Sequence, residues 1–363
     1  LTNPRLIDDL LRAAVKYGAS DLIVRTGDRI RMRICGNIVG IPVGKIACPD
    51  RKQTIEMIQH LLHSSPQAPD IETLQQFDFH YTLADLAHFR IHIMRTCNNF
   101  GLVARVIPQQ PPTIEELGLP ASIHAIAKYR NGLVLVAGTT GSGKTTTMAA
   151  MIDEIIRERA VHVVTLEDPV EYRYGTGSKG TVCQREIGTD VVDYARGLVD
   201  AMRETPDVIL VGEARERTVL QQAITAAETG HLVMATVHAT TAVGTMQRFM
   251  SAFGLDEQDA LRERLSENLR AIIVQKLLPL KSGKGRVPAV EIMIRNSVIK
   301  HFILDPERWR EIPKAMAEGM QLFGSQSFDQ HLQILVESEQ IDYEEALANA
   351  VFQEDFAIRM GRG

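Results

Sequence analysis

At 363 residues, and roughly 150 residues per domain, the chain is expected to form two domains. Charged residues make up 23% and apolar residues 45%, an ordinary globular balance that excludes wholesale disorder and a fibrous repeat. The net charge of −5 argues against a general nucleic-acid binder, and no apolar run approaches the ~18 residues that span a bilayer.

The opening, LTNPRLIDDLLRAAVKYGAS, lacks a secretory apolar core. Because it begins at Leu1 rather than Met, we expect a few residues ahead of it. Leu6, Ile7, Leu10, Leu11, Ala14 and Val15 recur at helical spacing, and Gly18 stops that helix. Alternating segments follow over 21–24, 30–34 and 38–41, then a helix over 51–63, then strands over 77–83, 89–94 and 101–107. Residues 1–107 therefore read as a small α+β domain with a mainly antiparallel sheet. The proline cluster PQQPPT begins at Pro108, where the charge also changes: residues 1–110 carry 13 Lys and Arg against 10 Asp and Glu, the remainder 27 against 35. We place a linker over 108–120 and a second domain over 121–363. Cys35, Cys48, Cys97 and Cys183 are too widely spaced for a zinc ribbon, and no disulfide scaffold is implied, so a reduced cytosolic setting is expected.

Short, fully apolar strands alternate with helices in the second domain, the pattern of a parallel α/β sheet. The spacing predicts strands over 132–137, 161–166, 208–211 and 232–237, and helices over 145–159, 193–204, 217–228 and 243–250. From 257 onward the chain reads as more helical, interrupted at 279–288 and by a short apolar segment over 289–294.

Gly138-Thr139-Thr140-Gly141-Ser142-Gly143-Lys144-Thr145 is a complete G-x-x-x-x-G-K-[ST] loop. Its glycines let backbone N–H groups curl around an anion, and the helix that Thr146 continues points its N-terminus at the phosphates. Lys144 supplies a charge for the β and γ phosphates of a nucleotide, and the Thr145 hydroxyl is placed to ligate Mg²⁺. In an open parallel sheet, ligands sit beyond the carboxyl ends of the strands. Three later strands end there in titratable groups: Glu167, Glu213 and His238. We expect Glu213 to serve Mg²⁺, Glu167 to polarise the attacking water, and His238 to sense the γ-phosphate. His231 begins the last of these strands and should lie at the opposite edge.

Together these residues carry a family resemblance. The phosphate loop, TLEDPVEY (165–172), RETPDVILVGEARE (203–216) and TAAETGHLVMATVHAT (225–240) resemble the Walker A, Asp-box, Walker B and His-box motifs of the secretion ATPase superfamily. These are the motors of type II and type IV secretion and of type IV pili. GASDLIVRTGDRIRMRICGNI (18–38), PTIEELGLP (112–120) and SFDQHLQILVESEQI (327–341) extend the similarity over nearly the whole chain, nearest to the pilus-retraction members.

The resemblance implies a PAS-like α+β domain followed by a RecA-like P-loop domain with a mostly parallel sheet, and ATP bound between them. It also implies a homo-hexameric, Mg²⁺-dependent ATPase that drives type IV pilus retraction (twitching motility), with type IV secretion or conjugation as the alternative. Such a motor works at the cytoplasmic face of the inner membrane, held there through a platform protein of its machine, and binds no nucleic acid. Arg90 and Arg105 match arginines that complete the nucleotide site in such rings, while Asn98 stands where a third is expected. Arg95 would face the other side of a strand. Thr205 replaces an acidic residue before Pro206-Asp207. SVIKHFILD (297–305) replaces an AIRNLIRE-like signature tied to retraction, keeping Ile299, Ile303 and Asp305 but only Lys300 of its basic residues. The short length and the lack of a four-cysteine zinc module argue against a type II secretion or pilus-extension motor.

Two other classes fit parts of the sequence. A RecA-like nucleic-acid translocase would use Arg25, Arg29, Arg31 and Arg33, the last three on one face of a strand. No aromatic platform lies among them, however, and a solvated or subunit-facing strand explains them equally. A non-hydrolysing nucleotide-gated scaffold requires Glu167 or Glu213 to be dispensable.

Overall fold

Helix α1 (Leu6–Lys16) opens the computed structural model, which describes residues 6–34, 36–41, 47–65, 68–83, 86–108, 110–175, 177–283 and 285–362. Cys35 and Gln109, used in the sequence reading, lie outside these. The helix buries Ile7, Leu10, Leu11 and Ala14, one stripe at helical spacing, with Asp8 and Asp9 in its first turn and Lys16 in its last to complement the helix dipole. The first unit continues with β1 (Ala19–Arg25), β2 (Arg31–Ile34), β3 (Asn37–Gly40), α2 (Arg51–Leu62), β4 (Gln76–Leu83), β5 (Ala87–Thr96) and β6 (Asn99–Ile107). Asp50 caps α2 in a reciprocal box: its carboxylate accepts from the Gln53 N–H, and the Gln53 side chain accepts from the Asp50 N–H.

The six strands are ordered β3-β2-β1-β6-β5-β4, and every pairing is antiparallel. One face carries Leu22, Val24, Met32, Phe89, Ile91, Ile93, Leu102 and Ala104 into a core shared with α1 and with Met57, Ile58 and Leu61 of α2. Residues directly opposite one another project from the same face of a sheet, so the register sets Arg33, Asp21, Arg105 and Arg90 side by side across β2, β1, β6 and β5, opposite that core. Arg29 precedes β2, so of the arginine trio expected on one strand only Arg31 and Arg33 lie on it. A two-residue turn joins β5 to β6, with Cys97 at φ +48° and Asn98 at φ +60°, the double left-handed geometry that favours asparagine. Arg95 lies on the core side, its guanidinium 5.4 Å from the Phe100 ring centre, and so does not join the row of Arg90.

The chain divides into the units Leu1–Gln110 and Pro111–Gly363. The second contains α3 (Ser122–Ala127), β7 (Gly132–Ala137), α4 (Lys144–Glu158), β8 (His162–Glu167), β9 (Thr181–Glu186), α5 (Tyr194–Ala201), β10 (Val208–Val211), α6 (Arg217–Glu228), β11 (Leu232–Val237), α7 (Ala242–Met250) and α8 (Gln258–Asn268). The hairpin β12 (Leu269–Pro279) and β13 (Arg286–Ile294) follows, then α9 (Ser297–Leu304), α10 (Ile312–Glu318), α11 (Met320–Phe323), α12 (Phe328–Glu337), α13 (Tyr343–Asn349) and α14 (Gln353–Arg359).

This sheet has seven strands ordered β13-β12-β7-β11-β10-β8-β9, parallel except for the β12–β13 pair. It is covered on both faces. Leu133, Leu135 and Ala137 of β7 enter the core built with α6, α7 and α8, whereas Val134 and Val136 enter the one built with α3 and α4. Ile114 and Leu119, from the stretch read as a linker, are buried in the latter. The helical tail expected from 257 is corrected by β12. Its apolar run is buried along almost its whole length because β7 pairs with it on one side and β13 on the other.

Candidate active site

The phosphate loop runs between β7 and α4. Gly141 and Gly143 take φ values of +78° and +88°, and a Cβ on Gly143 would lie 2.7 Å from the Gln275 amide nitrogen. Glycine is thus required there both by conformation and by the β12 side chain behind it. Gln275 also accepts a 2.7 Å hydrogen bond from the Thr147 hydroxyl, tying the first turn of α4 to the central sheet.

Beyond the strand ends lies a cavity of about 340 Å³. Thr140, Gly141, Lys144 and Thr145 line one side, and Glu167, Glu213 and His238 the other. Not every loop residue faces it. Thr139 lines a separate cavity behind the loop, Ser142 is buried, and the Thr146 hydroxyl lies 3.0 Å from the Tyr172 hydroxyl. Asp168, Glu171, Tyr174, Tyr194 and Thr236 also line the site. Sequence reasoning passed over Tyr174, Tyr194 and Thr236 because neutral side chains give no charge signal at a strand end.

The loop is built for an anion it must receive from outside. Lys144 donates 3.0 Å hydrogen bonds to the Gly138 and Thr139 carbonyls, and the buried Ser142 hydroxyl has no hydrogen-bond partner. Burial pulls the Lys144 ammonium below its usual range, and Glu213 works in the opposite direction. Phosphate oxygens would satisfy the groups that the loop's own carbonyls satisfy only in part. For a hard divalent cation the Thr145 hydroxyl and the Glu213 carboxylate, among the hydroxyls and carboxylates that line the cavity, stand on its two walls. No cluster of three His, Cys, Asp or Glu ligands exists among the described residues. That sparse donor set fits Mg²⁺, which keeps most of its water and phosphate ligands.

Glu167, the last residue of β8, is buried, and its Oε1 accepts from the Thr165 hydroxyl at 2.6 Å and from the Gln184 amide at 3.1 Å. Burial raises its pKa above the ordinary glutamate range, and those two hydrogen bonds offset part of the rise. Glu213 follows β10, and its Oε1 lies 3.4 Å from the His238 Nε2 at the end of β11. The Thr236 hydroxyl donates to the Gly212 carbonyl, joining the two strand ends. Four residues past His238, α7 begins, and its Ala242 N–H donates to Glu291 of β13 at 2.6 Å. His231 sits at the far end of β11, against the Ala226 carbonyl.

Comparison with known proteins shows what this geometry belongs to. Residues 2–336 match the model of the family described as type II/IV secretion system protein. The chain belongs to that family. It is 37% identical over 350 residues to the type IV pilus retraction ATPase PilT of Pseudomonas aeruginosa, covering 96% of this chain and 99% of that one. A crystal structure of the pilus retraction motor PilT with bound ADP superposes with a TM-score of 0.86 at 33% identity, covering 98% of each chain. The ATPase DotB of Legionella pneumophila gives 0.79 at 26% identity over 96% of each. This secretion-family chain is an ATPase with a PAS-like first unit and a RecA-like second unit.

Within this family member, Arg90 and Arg105 belong to the first unit. Arg105 Nε donates to Asp21 Oδ1 at 2.9 Å, and Arg33 Nε lies 3.4 Å from Asp21 Oδ2. Asp21 is buried while the Arg105 side chain remains 66% exposed, so one covered carboxylate on that face anchors two more exposed cations. Arg90 stands opposite Arg105, 3.7 Å from Asp78. Among the described residues no helix is long and apolar enough to cross a membrane.

Proposed function

We propose that this chain is the subunit of a homo-hexameric motor that uses ATP hydrolysis to withdraw type IV pili, docked on an inner-membrane platform protein at the cytoplasmic face. The observation that carries this reading is the end-to-end match to PilT, which spans both units at 37% identity. An isolated P-loop domain on an unrelated partner would match over the second unit alone.

In this reading Lys144 and the first amides of α4 hold the β and γ phosphates. Thr145 and Glu213 would hold Mg²⁺, which would supply charge neutralisation for the phosphates. Glu167 takes a proton from the attacking water, and burial makes its carboxylate a stronger base for that task. His238, beside Glu213, registers the presence of the terminal phosphate. Arg90 and Arg105 come from a neighbouring protomer and stabilise the charge that develops on the transferred group. The test is complementation. Expressed in a bacterium lacking its own retraction ATPase, the wild type restores twitching and the Glu213→Ala variant does not.

A second reading, a type IV secretion or conjugation ATPase, is favoured by one feature. Helix α9 carries SVIKHFILD, with Lys300 closed on Glu267 at 2.6 Å rather than presenting several free arginines. Capture of the ATP-trapped Glu213→Ala protein from membranes separates the two: pilus platform components support retraction, channel components support secretion.

A further inference from the structure

The strand ends that face the nucleotide cavity also open onto a second cavity, of about 260 Å³, lined by Glu213, Ala214, Arg215, Val237, His238 and Arg248. Glu213 and His238 line both cavities and lie 3.4 Å apart, so this pair forms the partition between them. Two guanidinium groups complete the second cavity. Arg215 lies in the turn between β10 and α6, two residues beyond Glu213, and Arg248 lies in the last turn of α7. Both are exposed, and among the described residues neither has an ion-pair partner. Arg217, only two residues further on, is closed on Glu257. The second cavity therefore holds two uncommitted cations against one carboxylate.

We propose that this cavity is a binding site for inorganic phosphate, occupied by the γ-phosphate after its bond to ADP has broken. Its filling by the cleaved phosphate rests on hydrolysis taking place at the phosphate loop. Attack of water, whose proton passes to Glu167, forms one P–O bond and breaks the bridging one, whose electron pair stays with ADP, leaving a free dianion on the nucleotide side of the Glu213–His238 partition. ADP fills the side from which ATP entered. An exit past the partition brings the ion between two guanidinium forks, whose paired N–H groups match phosphate oxygens better than a point charge does. Such contacts hold the ion only while the partition is open, because Glu213 repels it from behind.

The experiment is steady-state ATPase kinetics on the assembled full-length protein with added inorganic phosphate. The expected result for the wild type is an inhibition component that saturating ATP does not relieve. Arg215→Ala and Arg248→Ala should each weaken that component at least about tenfold, with an unchanged KM for ATP, because each removes a charge-assisted hydrogen-bonding group. Both side chains are exposed, so folding is preserved. Arg215→Lys and Arg248→Lys should keep part of the effect. Inhibition that is purely competitive with ATP, or that survives both alanine substitutions, overturns the assignment. So does a fall in oligomer mass by light scattering with phosphate inhibition intact, which would give the arginines to an acidic surface of a neighbouring copy. Equilibrium dialysis of radiolabelled phosphate against ADP-loaded protein reads the same site without turnover. A chain that binds phosphate there but splits no ATP defeats the hydrolysis reading and leaves the site standing.

Discussion

Glu291→Gln isolates a carboxylate whose ionisation works against the fold. Glu291 is 8% exposed on β13, its Oε1 accepts the Ala242 N–H at 2.6 Å, and Asp329 of α12 is the charged neighbour acting on it. Burial first, and Asp329 second, push its pKa from the usual 4.5 up to about 7, against the pull of the Ala242 hydrogen bond. The folded chain thus holds this proton more tightly than the unfolded chain does. The associated stability is fully present below the unfolded pKa and is lost as pH rises toward the folded one, after which the difference is flat. A rise of that size corresponds to about 3 kcal/mol between those limits. Glutamine keeps the shape and the acceptor but does not ionise, so the variant should gain that margin over wild type near pH 8 and be level with it near pH 4. Urea unfolding followed by fluorescence of Trp309, the only tryptophan and buried in the second unit, measures it. Stability curves that run parallel across that pH range would refute the reasoning.

Three further outcomes are expected. Glu167→Gln should retain ATP binding while lowering kcat by about 10² or more, and the acidic limb of the wild-type kcat profile should lie above the ordinary glutamate range because burial raises that pKa. Stopped-flow binding and a pH–rate series check both halves. Arg105→Ala and Lys144→Ala proteins should each lose about 10³-fold or more in rate, yet mixing them should recover activity, because mixed assemblies of the proposed ring would contain interfaces with both residues intact. No recovery on mixing would remove the trans role of Arg105. Asp21→Asn should cost about 1–2 kcal/mol, modest because the two guanidiniums it releases stay wet, and should speed amide hydrogen exchange in β1 first.

Much of this architecture was legible because the residues that build it act locally. Strand β7 is an unbroken apolar run followed by glycine, β10 repeats that form, and β8 and β11 are short, mostly apolar runs that end at or just before a titratable residue, so their carboxyl ends and the groups standing there could be read directly. The hairpin β12–β13 was not legible. LRAIIVQKLLP follows helix α8 without a breaker, and a fully buried strand shows no period of its own. Strand β9, TVCQRE, lies at the sheet edge with mostly polar residues, so composition hid it. In the site, Glu167, Glu213 and His238 announced themselves by charge. Gln275, which fixes both Gly143 and Thr147, comes from a strand 128 residues from Thr147 and carries no local signature.

The sheet of the first unit folds with one side only. Its apolar side is spent on α1 and α2, while the row from Arg33 to Arg90 contributes little to that core. Substitutions at the exposed arginines of the outward side are therefore under little folding constraint and can track whatever surface they meet. At the β5–β6 turn Asn98 sits at φ +60°, a conformation that asparagine accepts readily. A lineage can in this way retune what its motor grips while inheriting the engine block unchanged.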